Sequence, residues 1–329
     1  MSFVMRLPIT LAIVSMLPVG LPGQELDVSG PQPGPSLAER LGYRKDARLL
    51  IVHADDVGVT HGVNLATFDA LASGQVTSAS VMVPCAGLQE VADYAATHPE
   101  ADLGLHLTLT NERSPGGQWG PVAPKTDVPS LVDSRGYFFP GPREALSQID
   151  PKQVEIELRA QIRRARDVGL RPTHLDSHQF LLFFRPELFE AYLEVGREAG
   201  LPVLLAKGAF SLIRERMGGQ APDYESFLVP GDVVLADLVT MMPETASEGW
   251  PAYYDRTLRD LGPGVTEVII HVGYESEVPP DMRGDEPFGS AWRQQEFDFF
   301  TGATFKDLLK KHDIKLISWR DLARLEPAP

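Results

Sequence analysis

Histidine and carboxylate side chains recur at the ends of short apolar runs in this 329-residue chain. The first run, residues 49–52, leads through His53 into the adjacent carboxylates Asp55 and Asp56 and then Gly58. Two neighbouring carboxylates repel each other and are costly to desolvate unless a cation or a shared proton compensates them. On their own they indicate either a solvated turn or a cation-dependent site, and the rest of the chain favours the second.

Three later apolar runs also carry histidines. His106 lies in the third candidate strand, His271 lies near the end of the seventh, and the fourth carries His174, Asp176 and His178. Side chains alternate between the two faces of a strand, so the last three are predicted to share one face and point into the mouth of a barrel. Three ionisable groups on one face are expensive to bury without a cation or a reaction to serve.

Carboxylate and imidazole ligands without a thiolate suit zinc, or iron, cobalt, nickel or manganese in its place. Three protein ligands with an open position are typical of a catalytic metal site, and metal-activated water beside a carboxylate base and an acidic histidine predicts a hydrolase. His53 should share a face with Asp55, where it either orients that carboxylate or packs in the core. The residues alone leave both alternatives open.

Alternating strand and helix patterns position these residues from Leu49 onward. Candidate helices separate most of the candidate strands, which predicts a parallel sheet, and seven or eight such units favour a distorted TIM-like barrel of the α/β class in a single domain. The predicted strands are Leu49–Asp55, Ser78–Pro84, Leu103–Leu109, Pro172–Ser177, Pro202–Ala206, Val233–Met242, Val268–Val272 and Ile314–Ser318. The predicted helices are His61–Ser73, Leu88–Thr97, Pro151–Val168, Pro186–Ala199, Tyr253–Leu261 and Trp292–His312.

The first 23 residues have the pattern of a secretory signal peptide, with a basic start and a short apolar segment. Residues 24–48 are predicted to be a linker or arm, and residues 49–329 the barrel domain. We therefore expect an exported protein, periplasmic or secreted, with an uncleaved signal anchor as the alternative. A net charge of −15 makes nucleic acid and anionic membranes poor partners.

The connection Thr110–Asp150 is too long for an ordinary barrel loop and is rich in proline and glycine. Its aromatic residues Trp119, Tyr137, Phe138 and Phe139 either stack on sugar rings or pin the loop to the barrel. We expect this loop to cover the mouth and to influence the choice of substrate.

Four ordered motifs resemble those of the YdjC-like carbohydrate deacetylases over about Leu49 to Leu322. The motifs are His53-Ala-Asp55-Asp56-Val-Gly58, Gly104-Leu-His106-Leu, Thr173-His174-Leu-Asp176-Ser177-His178 and His271-Val-Gly-Tyr274. The resemblance implies a distorted TIM-like barrel and metal-dependent removal of N-acetyl groups from amino sugars.

The resemblance also implies residue roles. Asp56, His106 and His178 would bind one divalent metal ion, zinc or magnesium, with other transition metals as alternatives. Asp55 would be the general base and His271 a general acid or a group that stabilises the intermediate. Four further residues would orient these groups or face the substrate: His174, Asp176, His53 and Tyr274.

The chain departs from the family pattern at His53 and Val57, where the family usually has Asn and Phe, and these departures bear on substrate detail more than on chemistry. The expected partner is an N-acetylated sugar or oligosaccharide, and a homodimer is compatible with the sequence. Two alternatives stay open: a metal-dependent hydrolase of another bond, such as a phosphoester or cyclic amide, and a non-catalytic carbohydrate-binding barrel.

Overall fold

The computed structural model describes residues 35–111, 118–219, 221–241, 248–278, 283–284 and 287–325. The described residues belong to one compact unit that begins at Pro35. The predicted signal peptide and the first part of the predicted arm, up to residue 34, lie outside them. Of that arm, residues 35–48 include the short helix Leu37–Arg40, whose Ala38 is buried against the core. The predicted domain boundaries stay predictions.

A parallel sheet forms the centre of the described part of the chain. Its spatial order is β4-β3-β2-β1-β6-β5, and β7 pairs with the beginning of β1. Hydrogen-bonded bridges between Leu175 and Val203 and between Ala206 and Leu235 connect the β4 edge to the segment that leads into β5. The sheet therefore curls round on itself, which confirms the predicted distorted barrel. The strands are β1 (Arg48–Val57), β2 (Ser78–Val81), β3 (Leu103–Leu107), β4 (Leu175–Ser177), β5 (Asp237–Thr240), β6 (Gly264–Ile270) and β7 (Ile314–Leu316).

Helices cover the outside of this sheet, and several begin at the expected signals. Thr60 caps the second helix through its side chain, Asp150 caps the fifth just before Pro151, and Gly200 ends the sixth in a left-handed conformation. The helices are α1 (Leu37–Arg40), α2 (His61–Ala72), α3 (Leu88–Thr97), α4 (Pro142–Leu146), α5 (Pro151–Asp167), α6 (Pro186–Ala199), α7 (Lys207–Arg216), α8 (Trp250–Asp260), α9 (Ser290–Thr301), α10 (Ala303–Lys311) and α11 (Trp319–Ala323).

Two predicted elements differ from the structure. The predicted strand Pro202–Ala206 makes only isolated bridges, and α7 follows directly after it. The single predicted helix Trp292–His312 is divided at Gly302, whose extended backbone separates α9 from α10. A Cβ atom at Gly302 would lie 2.6 Å from the Asp298 carbonyl oxygen, so glycine permits this close break.

The long connection after β3 is anchored to the barrel rather than loose. Phe138 is fully buried, and Trp119 is buried with its indole Nε1 donating to the Thr110 carbonyl at 2.8 Å. These two aromatic residues pin the loop to the barrel, which is the second of the two alternatives that the sequence left open. Within the described ranges, no helix is long and apolar enough to cross a membrane.

Candidate active site

The carboxylates of Asp55 and Asp56 approach the same atom because the backbone of β1 is irregular at these two residues. The pairing of β1 with β2 shifts register between Ala54 and Val57, and Asp56 has a positive φ of 68°. Such bulges next to active sites redirect side chains that strict alternation would place on opposite faces. As a result, Asp55 Oδ2 and Asp56 Oδ1 lie 3.8 and 3.6 Å from the same atom, His106 Nε2.

Asp56, His106 and His178 form a triangle of ligand atoms at the carboxyl ends of their strands. His106 Nε2 is 3.1 Å from His178 Nδ1, and each nitrogen is 3.6 Å from Asp56 Oδ1. The nearest point equidistant from these three atoms lies about 2.0 Å from each, so an ion at zinc's usual bond lengths of about 2.0–2.2 Å could contact all three. Asp56 Oδ1 is buried and accepts no hydrogen bond from the described residues, so these side chains fit a divalent metal.

Two of these three side chains are held by a second contact. Asp176 Oδ1 accepts a hydrogen bond from His106 Nδ1 at 2.6 Å, which leaves Nε2 as the bare nitrogen that a metal requires. Arg293 Nη2 donates to Asp56 Oδ2 at 2.7 Å, which leaves Oδ1 facing the histidines. His178 begins a short 3₁₀ segment, and the next two residues have positive φ angles, so the chain turns sharply at this ligand.

Asp55 lies between this triangle and His271. Its Oδ2 is 4.0 Å from His271 Nε2, and its Oδ1 is 3.2 Å from His53 Nε2. The imidazole of His271 is 19% exposed, whereas the carboxylate of Asp55 is 9% exposed, so both can be reached from the mouth. Glu296 Oε2 accepts a hydrogen bond from the backbone N–H of His271 at 2.5 Å and fixes the chain there. The arrangement can activate a water on one side and deliver a proton on the other.

The buried carboxylates, imidazoles and guanidinium of the site shift one another's pKa values. Burial alone would raise the pKa of Asp56, but Arg293 and the nearby imidazoles hold that pKa well below its usual range. Burial alone would lower the pKa of His106, but the carboxylates of Asp176 and Asp55 raise it to about 9. Burial lowers the pKa of His271. A site whose carboxylates hold a proton so firmly on an imidazole is one that attracts a cation.

His174 and Tyr274 lie away from the ligand triangle. His174 is fully buried deeper in the barrel, where its ring stacks on Trp319 at 4.7 Å, so its predicted position at the mouth is wrong. A Cβ atom at Gly104 would lie 2.3 Å from this ring, which explains the glycine in that motif. Tyr274 donates to Asp69 Oδ2 on α2.

Sequence reasoning missed three side chains that complete the site. Arg293 and Glu296 lie on α9, far along the chain from β1, and Ser80 on β2 lies 3.0 Å from His53 Nε2. Arginine and glutamate three residues apart on a helix look like an ordinary solvated face. The burial of Glu296 becomes visible only when α9 is packed against the barrel.

The fold and the site define the class: an α/β barrel with a cluster of buried carboxylate and imidazole side chains at the carboxyl ends of its strands. The family model described as YdjC-like protein matches residues 49–311, and the chain belongs to this family. A carbohydrate deacetylase from Geobacillus stearothermophilus is 30% identical over 281 residues, which cover 84% of this chain and 99% of that protein.

Two further comparisons agree with this membership. A carbohydrate deacetylase from Brevibacillus brevis is 40% identical over 154 residues, which cover 47% of this chain and 58% of that protein. The crystal structure of a protein from Enterococcus faecalis V583, described as a candidate cellobiose-phosphate cleavage protein, has a TM-score of 0.68 with 23% identity. It covers 84% of this chain and 99% of that one, and it shows the same fold.

Proposed function

We propose that this protein is a metal-dependent hydrolase that removes N-acetyl groups from amino sugars or oligosaccharides. The observation that carries the proposal is the position of Asp55 Oδ2, 3.8 Å from His106 Nε2 and 4.0 Å from His271 Nε2. A carboxylate at this position lies between the proposed metal site and the proposed proton donor, His271. The relatives named carbohydrate deacetylase and the family membership support the same reaction.

Asp56, His106 and His178 would hold the metal. When bound, a divalent cation supplies Lewis acidity that polarises the acetyl carbonyl and stabilises the negative charge that develops on its oxygen. Arg293 and Asp176 keep two of these ligands in place through their other atoms. Zinc or magnesium is the proposed ion, and other transition metals are alternatives that the same ligand types accept.

The acid–base steps fall to Asp55 and His271. Asp55 Oδ2 takes a proton from the attacking water as its oxygen bonds to the acetyl carbon. The C–N bond then breaks, and His271 Nε2 gives a proton to the departing nitrogen, so the products are acetate and the free amine. Asp55 Oδ1 is occupied by His53, which leaves Oδ2 as the oxygen available for this transfer.

The proposed substrate is a neutral sugar that the protein meets outside the cytoplasm. A net charge of −15 disfavours strongly anionic substrates at long range, although a bound cation would reverse the sign locally. The segment 1–23 supports export to the periplasm or secretion, with retention as an anchor as the alternative.

Acetate release from a panel of N-acetylated amino sugars and chitooligosaccharides tests the proposal. The full chain would be stripped with a chelator and reloaded separately with Zn²⁺, Mg²⁺, Co²⁺ or Mn²⁺. We expect acetate and a primary amine in equal amounts from at least one sugar, no release without metal, and recovery on reloading.

The same samples distinguish the alternatives. A phosphorylated disaccharide and a cyclic amide would be assayed in parallel, with sugar binding measured by calorimetry. Phosphate release or ring opening without acetate would favour the hydrolase of another bond, and binding without any turnover would favour a non-catalytic barrel. Either result would overturn the proposal.

A further inference from the structure

His53 is a fully buried side chain that faces three oxygen atoms with a single ring nitrogen. Its Nε2 lies 3.2 Å from Asp55 Oδ1, 3.0 Å from Asp176 Oδ2 and 3.0 Å from Ser80 Oγ. Two of these acceptors are carboxylates, so this nitrogen carries a proton and donates it. None of the proposed steps uses His53 directly, although it contacts two carboxylates of the site.

The two carboxylates that His53 contacts have different tasks at their other oxygens. Asp176 Oδ1 accepts from His106 Nδ1 at 2.6 Å and so orients a metal ligand. Asp55 Oδ2 points toward His106 Nε2 and His271 Nε2, where the water would react. A carboxylate that is held at one oxygen cannot rotate freely at the other, so the contact with His53 fixes both arrangements at once.

The surroundings of His53 support this interpretation. Glu267 on β6 and the two aspartates raise the pKa of His53 well above its usual value, against the effect of burial. On its other side the His174 ring is perpendicular to it at a centroid distance of 5.0 Å. The imidazole thus lies beside the His174 ring and within 3.2 Å of two carboxylates.

We propose that His53 is a positioning residue whose Nε2–H bonds hold Asp55 and Asp176 together, so that one side chain aligns both the general base and the metal ligand His106. This inference rests on the proposed function for the role of Asp55. The part that concerns Asp176 and His106 depends only on metal binding.

Two neutral variants of similar volume isolate the hydrogen bond from the charge. In His53→Gln the amide nitrogen reaches about as far as Nε2 and can donate, whereas His53→Met has no donor. Both variants are neutral, so the change in charge relative to His53 is the same in both. Any difference in metal affinity or turnover between the two variants therefore reports the effect of the hydrogen-bond donor at position 53.

The main measurement is the affinity for Zn²⁺ by chelator competition, together with the visible spectrum of the Co²⁺-loaded protein. We expect His53→Gln to stay within a few-fold of the unsubstituted protein in Zn²⁺ affinity and to keep its Co²⁺ spectrum. We expect His53→Met to lose about 10–100-fold in affinity, which is typical when a residue that orients a ligand is removed. In turnover, His53→Met should lose kcat with little change in KM.

The control and the contrary outcomes are well defined. His312 also binds a carboxylate through Nε2, Asp255 at 2.7 Å, but on the outside of the barrel, so His312→Gln and His312→Met should leave Zn²⁺ affinity unchanged. Equal affinities for the Gln and Met variants of His53, or a large loss in His53→Gln, would overturn the proposal. His53→Phe replaces His53→Met if the latter does not fold.

The two proposals fail independently of each other. Zn²⁺ affinity and the Co²⁺ spectrum are measured without substrate, so they test His53 even if no N-acetylated sugar is hydrolysed. Conversely, acetate release by the unsubstituted protein together with equal metal binding in the two variants would sustain the function and refute the role of His53.

Discussion

Asp55 and Asp56 are neighbours in the chain but have different hydrogen-bond partners. Asp56 Oδ2 binds Arg293, and Asp56 Oδ1 faces the two histidines of the proposed metal site. Asp55 keeps one oxygen on His53 and leaves the other beside His271. The two carboxylates should therefore respond differently to the same change.

Replacing each aspartate with asparagine separates these roles. Asp55→Asn should keep its fold and its metal but lose about 10²–10⁴-fold in kcat, the usual effect of removing a general base. Asp56→Asn should bind metal weakly, because an amide oxygen is a poorer ligand than a carboxylate. Metal content after dialysis and acetate release at saturating substrate would measure both effects.

A near-normal kcat for Asp55→Asn would show that another group is the base. His174 and Asp176 belong to the same motif as His178, but the structure disfavours both as the base. Asp176 has each oxygen engaged by a histidine, and His174 is fully buried below the site. His271 would then be the remaining candidate.

The sequence predicts the site residues that follow strands and misses those that do not. Asp56, His106 and His178 could be found because polar residues at the ends of parallel strands meet at one edge. Arg293 could not be found from the sequence. Its helix has a polar face that looks solvent-exposed, and the sequence of a helix does not tell which distant residues such a face will contact. Strict alternation of side chains along a strand would place Asp55 and Asp56 on opposite faces. It does not predict the register shift in β1 or the positive φ of Asp56.

At the scale of elements, the long connection after β3 is fixed at its base. Glu157 on α5 accepts hydrogen bonds from the backbone N–H groups of Val122 and Ala123 at 2.9 and 2.8 Å. Together with the buried Trp119 and Phe138, this ties the described part of the loop to the barrel. The prediction that the loop sets substrate choice therefore no longer rests on these two aromatic residues.

A buried hydrogen bond connects α11 to strand β6 of the barrel. Trp319 Nε1 donates to Glu267 Oε2 at 2.6 Å, and burial raises the pKa of Glu267 from its ordinary value of 4.5 to about 8. A carboxyl group with a raised pKa binds its proton more tightly in the folded protein than in the unfolded chain. Its contribution to stability is present at low pH and is lost as the pH rises from about 4.5 to 8.

Glu267→Gln should remove this dependence on pH. The glutamine oxygen can still accept from Trp319 but cannot ionise, so the variant should gain in melting temperature relative to the unsubstituted protein as the pH rises from 5 to 8.5. Thermal unfolding of both proteins at several pH values, with metal absent, would measure the difference. A melting-temperature difference that is constant over this range would show that Glu267 does not titrate there.

At the scale of the whole molecule, the chain gathers three buried carboxylates at one end of the curled sheet. Asp55, Asp56 and Asp176 each have less than a tenth of their side chain exposed, and Arg293 contacts only the second of them with its guanidinium. Buried like charges oppose folding unless a cation compensates them. Metal binding should therefore contribute to the stability of the whole barrel and not only to the reaction.

Adding Zn²⁺ to metal-free protein should raise the melting temperature. A ligand present at 100 times its dissociation constant stabilises the folded state by about 2.7 kcal/mol, which corresponds to a shift of a few degrees in a protein of this size. Asp55→Asn should keep most of the shift, because it leaves the ligands intact. Asp56→Asn should lose the shift, and an undiminished shift in that variant would mean that the stabilising ion binds elsewhere on the acidic surface.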